Sequence, residues 1–450
     1  MAILTPTSPT AAPDTGWRYP DTGGRDHRLD LLRGYALAAM SVNHLGLSSS
    51  FFHTASGRSS FLISAAEAFL FISGFTLGWI SATRPPGDAE SRVWSRTWTL
   101  YLATTGVTLG MMLVALHTEL ALWGGFEAGE FGGPLDALGR VATLHLAVGG
   151  VDILVAYVLY LLAAVVALRG LAAGRTRAVV GTIALLYLAS QVASPGTFRF
   201  EFASFRAVVP NAPLFLGGLV LGYHRDAVAR LWERFAWRRQ VDRAVVVVAV
   251  GLAVLHVRGW TDWPALGELL TAGNPEEPLW VRESDMPVLP LAVVALYLRA
   301  GWLLVDRAWV PLRRTLGWLV LPMGNAALFT FVAHLVAIPL FYNLPGFPLE
   351  EEVSRVTATV WVAAYLATIL GAVHLRRVAL RWLRTGTPGR EWVRVHGPAV
   401  AVGVLGLALL ASITPNGQAG QWDDWDEEFE EGEWDDEFED DFDSEFDEQE

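Results

Sequence analysis

The chain has 450 residues, 52% of them hydrophobic, with 19 Trp, no Cys and a mean hydropathy of +0.36. A soluble protein of this length needs about three domains and a far more polar surface, so the composition excludes that class and leaves a polytopic helical membrane protein. The missing Cys removes disulfides, thiolate nucleophiles and thiolate metal sites together.

The formal net charge of −13 is misleading. Nineteen Asp and Glu stand between Gln421 and Glu450, and removing them turns the balance to +6. The acidity belongs to one tail, and the membrane body is mildly basic. The expected partner is a lipid bilayer, with no nucleic acid.

Residues 1–24 are polar and rich in Pro, Thr, Ala and Gly, without the basic start and apolar core of a secretory signal. They are expected to form a disordered cytoplasmic arm. About eleven apolar segments follow, near 29–48, 62–82, 98–117, 143–168, 178–193, 207–223, 243–257, 287–305, 315–341, 356–374 and 396–413. The expected fold is therefore all-α, a polytopic bundle over residues 25–413 with disordered termini.

The connecting segments alternate in charge. One set carries Arg84, Arg92 and Arg96, then Arg169, Arg175 and Arg177, and continues through Arg225–Arg243, Arg307–Arg314 and Arg376–Arg384. The other set is acidic or mixed, with Glu119, Glu127, Asp262, Glu268 and Glu350 to Glu352. Arg-rich loops stay in the cytoplasm, so eleven spans put the N-terminus inside and the C-terminus outside. Residues 414–450 interleave Trp and Phe with repelling carboxylates and are expected to form a disordered extracytoplasmic tail.

Chemistry concentrates in RDHRLDLLRGYALAAMSVNHLG, residues 25–46. Eleven helical steps separate Arg33 from His44, about three full turns, so both lie on one face and roughly 16 Å apart along the axis. Ionisable groups within a span are costly and point to function. The structural alternative is a snorkelling Arg and a His bonded to a neighbouring helix. Glu67, in AEAFLFISGF, sits at the depth of His44 on the next span, where a carboxylate would fix the imidazole tautomer of a general base. A helix-joining hydrogen bond would explain the same pair.

Ser73, Gly74 and Gly78 permit close helix packing. Asn43, Asp152, Tyr157, Asn325 and His334 are candidates to line a polar cavity, or to make buried helix–helix bonds. No cluster has metal spacing, and no Gly-rich phosphate loop is present.

RLDLLRG followed by NHLG and AEAFLFISGF resembles the OpgC family of integral-membrane acyltransferases. DILVAYVLYLL, LFLGGLVLG and LGWLVLPMGNAALFTFVAHL extend the likeness in patches to about residue 375. A related group, resembling heparan-α-glucosaminide acetyltransferase, shares the LD-x-x-RG start and an Asn at the end of the first span. The resemblance implies that His44 is the catalytic histidine with Glu67 as its partner, and that Arg33 and Arg28 line the path of an acyl-CoA. It implies no bound cofactor, acyl-CoA being a co-substrate, and an extracytoplasmic glycan or other hydroxyl acceptor. A proton-coupled transporter or flippase using His44, Glu67 and Asp152 is the alternative from another class.

Overall fold

In the computed structural model, residues 26–56, 65–118, 133–147, 150–192, 208–257, 288–348 and 353–384 are described, with isolated positions at 120 and between 393 and 405. The N-terminal arm, the acidic tail and two thirds of the span expected at 396–413 lie outside them.

Every regular element among the described residues is a helix. In chain order they are α1 (His27–His44), α2 (Phe51–Ser56), α3 (Ala65–Ala82), α4 (Pro86–His117), α5 (Pro134–Ala142), α6 (Asp152–Ala172) and α7 (Thr176–Val192). Then follow α8 (Val208–Tyr223), α9 (Arg225–Arg234), α10 (Arg238–Val257), α11 (Val288–Arg307), α12 (Trp309–Thr315), α13 (Gly317–Asn325), α14 (Ala327–Tyr342) and α15 (Arg355–Arg384).

The expected count of about eleven spans is corrected. Among the described residues, α3, α4, α6 and α15 are long and apolar enough to cross a bilayer, and α13 with α14 makes a fifth if that bent pair is one span. Physical reasons account for several of the others. α1 carries Arg28, Asp30 and Arg33 in its first two turns. α10 opens with Arg238, Arg239, Asp242 and Arg243, and α7 and α8 stop at 17 and 16 residues. Such helices depend on neighbours to cover their polar groups, a property that a hydropathy pattern does not reveal.

The first span is also shorter than expected. Asp26 caps the start of α1 by accepting from the Arg28 N–H at 3.1 Å. Gly46, at φ +81°, turns the chain just after His44. A left-handed glycine here is a common helix stop. His44 therefore ends α1, where it was expected to lie four or five residues inside the span.

Tight backbone contact organises two helix pairs. On α3, a Cβ at Gly74 or Gly78 would collide with the carbonyls of Phe215 and Leu219 on α8. In return, a Cβ at Gly218 would come within 2.6 Å of Phe71 O, and one at Gly222 would meet Phe75 O. Both helices place glycines four residues apart, the small-xxx-small spacing that lets backbones touch in lipid. Gly34 of α1 and Gly324 of α13 form the second pair, packed on the carbonyls of Val320 and Asp30 respectively.

The ninth expected span, 315–341, is broken. α13 and α14 meet at 103° around Ala326. Carbonyls freed by such a break need partners at membrane depth. Met323 O accepts from the Thr330 hydroxyl at 3.0 Å, and Gly324 O accepts from the Arg33 guanidinium at 3.5 Å.

Candidate active site

Arg33 is buried along with Asp30, one turn before it. Its Nη2 donates to the Thr76 hydroxyl on α3 at 2.7 Å, and its Nη1 lies 3.6 Å from Asp30 Oδ1. His27 Nδ1 lies 3.6 Å from the other oxygen of Asp30. A planar guanidinium suits this junction because it spreads its donors over three helices at once. The C-terminus of α13 carries partial negative charge, which a cation offsets. Arg33 thus pins α1, α3 and α13 together.

Arg28 sits nearer the N-terminal end of α1. Its Nε and Nη2 each lie 2.9 Å from Asp26, its Nη1 pairs with Asp306 of α11, and the guanidinium stacks on Trp302 at 4.9 Å. The two arginines expected along one path therefore occupy different networks, one at the surface and one buried.

At the other end of α1, His44 Nδ1 lies 3.0 Å from Nε2 of His334, on α14. The ring centroids are 5.2 Å apart and tilted by 37°. His334 is fully buried, with the Phe331 ring edge-on at 4.8 Å. The backbones of both histidines are tied as well. Tyr342 donates its hydroxyl to His44 O at 3.4 Å, and Tyr365 of α15 donates to His334 O at 2.9 Å. Around them Phe341, Phe347, Trp361 and Tyr365 form an aromatic wall between α14 and α15.

Asn43 accepts a hydrogen bond from Ser56 at 2.7 Å, and Tyr35 donates to Ala55 O at 2.7 Å. These bonds fold α2 back over the end of α1, next to His44. Glu67 is half-buried in the first turn of α3. The Arg33–Thr76 bond sets the register of α1 and α3: His44 is eleven residues beyond it on α1, and Glu67 nine residues before it on α3. In an antiparallel pair the two side chains then stand roughly 16 Å and 14 Å along the same direction, at matching depth.

The remaining candidates are distributed. Asp152 is buried at the start of α6, where it accepts from the Ile153 N–H at 2.9 Å. Tyr157 packs between Phe69 and Phe215, and its hydroxyl accepts from Arg96 at 3.1 Å. Asn325 is exposed at the α13–α14 break. Of the five cavity candidates, the structure brings His334 onto His44 and Asn43 beside it. The residues that sequence reasoning passed over are Asp30, Thr76, Tyr342 and Tyr365. Of these, Asp30 alone had a local signal, three residues before Arg33 on one helix face.

Helices long and apolar enough to cross a bilayer, with buried ionisable groups along α1, define the class: a helical membrane protein. Within that class the chain belongs to the OpgC protein family, whose model matches residues 25–379. Membership makes it a membrane acyltransferase in general terms. No curated protein and no solved structure matches the chain.

Proposed function

We propose that the protein transfers an acyl group, of succinyl or acetyl type, from cytoplasmic acyl-CoA to a hydroxyl of an extracytoplasmic glycan. The observation that carries this reading is the imidazole of His44, held at one end of α1 by a 3.0 Å contact to His334. In this reading His44 accepts the proton of the acceptor hydroxyl while its oxygen attacks the thioester carbonyl. The C–S bond breaks, and the proton passes from His44 to the departing thiolate. The products are an ester and free CoA thiol.

Glu67, at matching depth, supports the cation that forms on His44. Arg33 and Arg28 lie toward the opposite end of α1, where the anionic donor approaches. The Arg-rich loops orient that end toward the cytoplasm, in the cytoplasmic membrane, with the N-terminus inside and the tail outside.

Purified protein, supplied with acetyl-CoA or succinyl-CoA and a glucose oligosaccharide, tests the reading through release of free thiol. His44→Ala is expected to lower the rate by about two to four orders of magnitude. Glu67→Gln should lower kcat more than it raises KM for acyl-CoA. A normal rate in His44→Ala protein contradicts the mechanism.

A further inference from the structure

We infer that His334 is the positioning residue that selects the tautomer of His44, an inference that rests on His44 acting as general base. A neutral imidazole has one N–H and one lone pair, so the 3.0 Å contact between His44 Nδ1 and His334 Nε2 needs a proton on one side only. Which side is decided at the far nitrogen of His334. That Nδ1 is buried and makes no hydrogen bond among the described residues. The backbone carbonyls of Thr330 and Phe331, four and three residues earlier on α14, act on the ring, whose Nε2 is already turned to His44.

A carbonyl oxygen only accepts. A lone pair on His334 Nδ1 would face other lone pairs in a site sealed from water, whereas an N–H there is attracted to them. The proton therefore belongs on His334 Nδ1. Its Nε2 then holds the lone pair and accepts from His44 Nδ1–H. The lone pair of His44 is left on Nε2, as a general base requires, and the imidazole is oriented by the same bond.

The packing of His334 suits this role. Phe331 lies edge-on to its ring, and Tyr365 holds its backbone carbonyl at 2.9 Å, so the ring packs against an aromatic edge on a backbone tied to α15. During transfer the proton of the acceptor hydroxyl goes to His44 Nε2 and then to the thiolate. Nδ1–H stays between the two rings throughout, and His334 exchanges no proton. Its contribution is to orient the base and to accept a stronger hydrogen bond while His44 is cationic.

The test uses the full-length protein as wild type and as His334→Leu, His334→Gln and His44→Ala, assayed with acetyl-CoA, succinyl-CoA and a glucose oligosaccharide. His334→Leu should lower kcat by about tenfold to hundredfold, less than loss of the base itself, with KM for acyl-CoA within about twofold of wild type. His334→Gln, whose Oε1 falls near the place of Nε2, should recover most of that loss. Nitrogen-15 NMR of labelled histidine supplies a readout independent of turnover. His44 should carry its proton on Nδ1 in wild type and shift toward the Nε2–H form in His334→Leu. Full activity in His334→Leu beside an inactive His44→Ala overturns the inference and leaves the base intact. Activity in His44→Ala removes the base reading. A wild-type His44 protonated on Nε2 overturns the tautomer assignment whatever the kinetics, even if His334→Leu fails to fold.

Discussion

Adding one methyl group at Gly78 is expected to destabilise the protein more than the same change at Gly110. Gly78 packs directly on the Leu219 carbonyl of α8, whereas a Cβ at Gly110 of α4 meets nothing within 4 Å. The reciprocal contact at Gly218 gives the scale. A Cβ there would sit 2.6 Å from Phe71 O and must reach the ordinary range of 3.4 Å or more, so the interface opens by at least about 0.8 Å. A gap of that size forfeits roughly a quarter to a half of each dispersion contact along the seam. It also weakens the Cα–H···O contacts, each worth about 0.5–1 kcal/mol. Overpacking of this kind costs about 1–3 kcal/mol per site. Gly110→Ala removes a flexible residue from a helix interior and should be neutral or stabilising by up to about 1 kcal/mol. The assay is thermal unfolding of detergent-purified protein, followed by loss of the monodisperse elution peak. Gly78→Ala and Gly218→Ala should each lower the midpoint by several degrees. Equal midpoints for Gly78→Ala, Gly110→Ala and wild type would refute the close α3–α8 seam.

Arg33→Ala removes a cation from Asp30 and a donor from Gly324 O, and is expected to cost roughly 3–5 kcal/mol, read as a lower unfolding midpoint. Arg33→Lys keeps the charge without the fork and should fall between Arg33→Ala and wild type; a midpoint for Arg33→Ala equal to wild type counts against the junction of α1, α3 and α13. Truncation after Gly420 should leave membrane insertion and most acyl transfer in place, measured as membrane-fraction yield and thiol release. The absence of Cys makes labelling clean: a cysteine at Ser444 should react with an impermeant maleimide in intact cells and one at Ser91 should not, and the reverse pattern would invert the orientation.

Several features of this architecture were legible in the sequence because they are local. Hydropathy marked most helices, and small residues four apart in α3 announced close helix packing without naming α8 as the partner. The Arg33–His44 spacing put both groups on α1 without knowledge of any neighbour. Helical rise alone set Glu67 and His44 at one expected depth. Partners did not follow. The imidazole that meets the His44 ring is 290 positions away, on a helix that resumes after a 103° break. Nothing in LGWLVLPMGNAALFTFVAHL signals that break apart from Pro322, since the carbonyls it frees are satisfied by Thr330 and by Arg33 of a distant helix. The span count failed for a related reason. Hydropathy treats α1 and α10 as crossings of their own, whereas the polar residues at their starts make each depend on packed neighbours.

The central claim is that His44 is the base of an acyl transfer to a surface glycan, and the most direct measurement is mass spectrometry of extracytoplasmic glycans from cells lacking the protein, complemented by wild type or by His44→Ala. Wild type should add the mass of an acyl group, at succinyl or acetyl increments, and His44→Ala, present in the membrane at equal abundance, should not. Glycans acylated to the same extent with His44→Ala as with wild type would contradict the account.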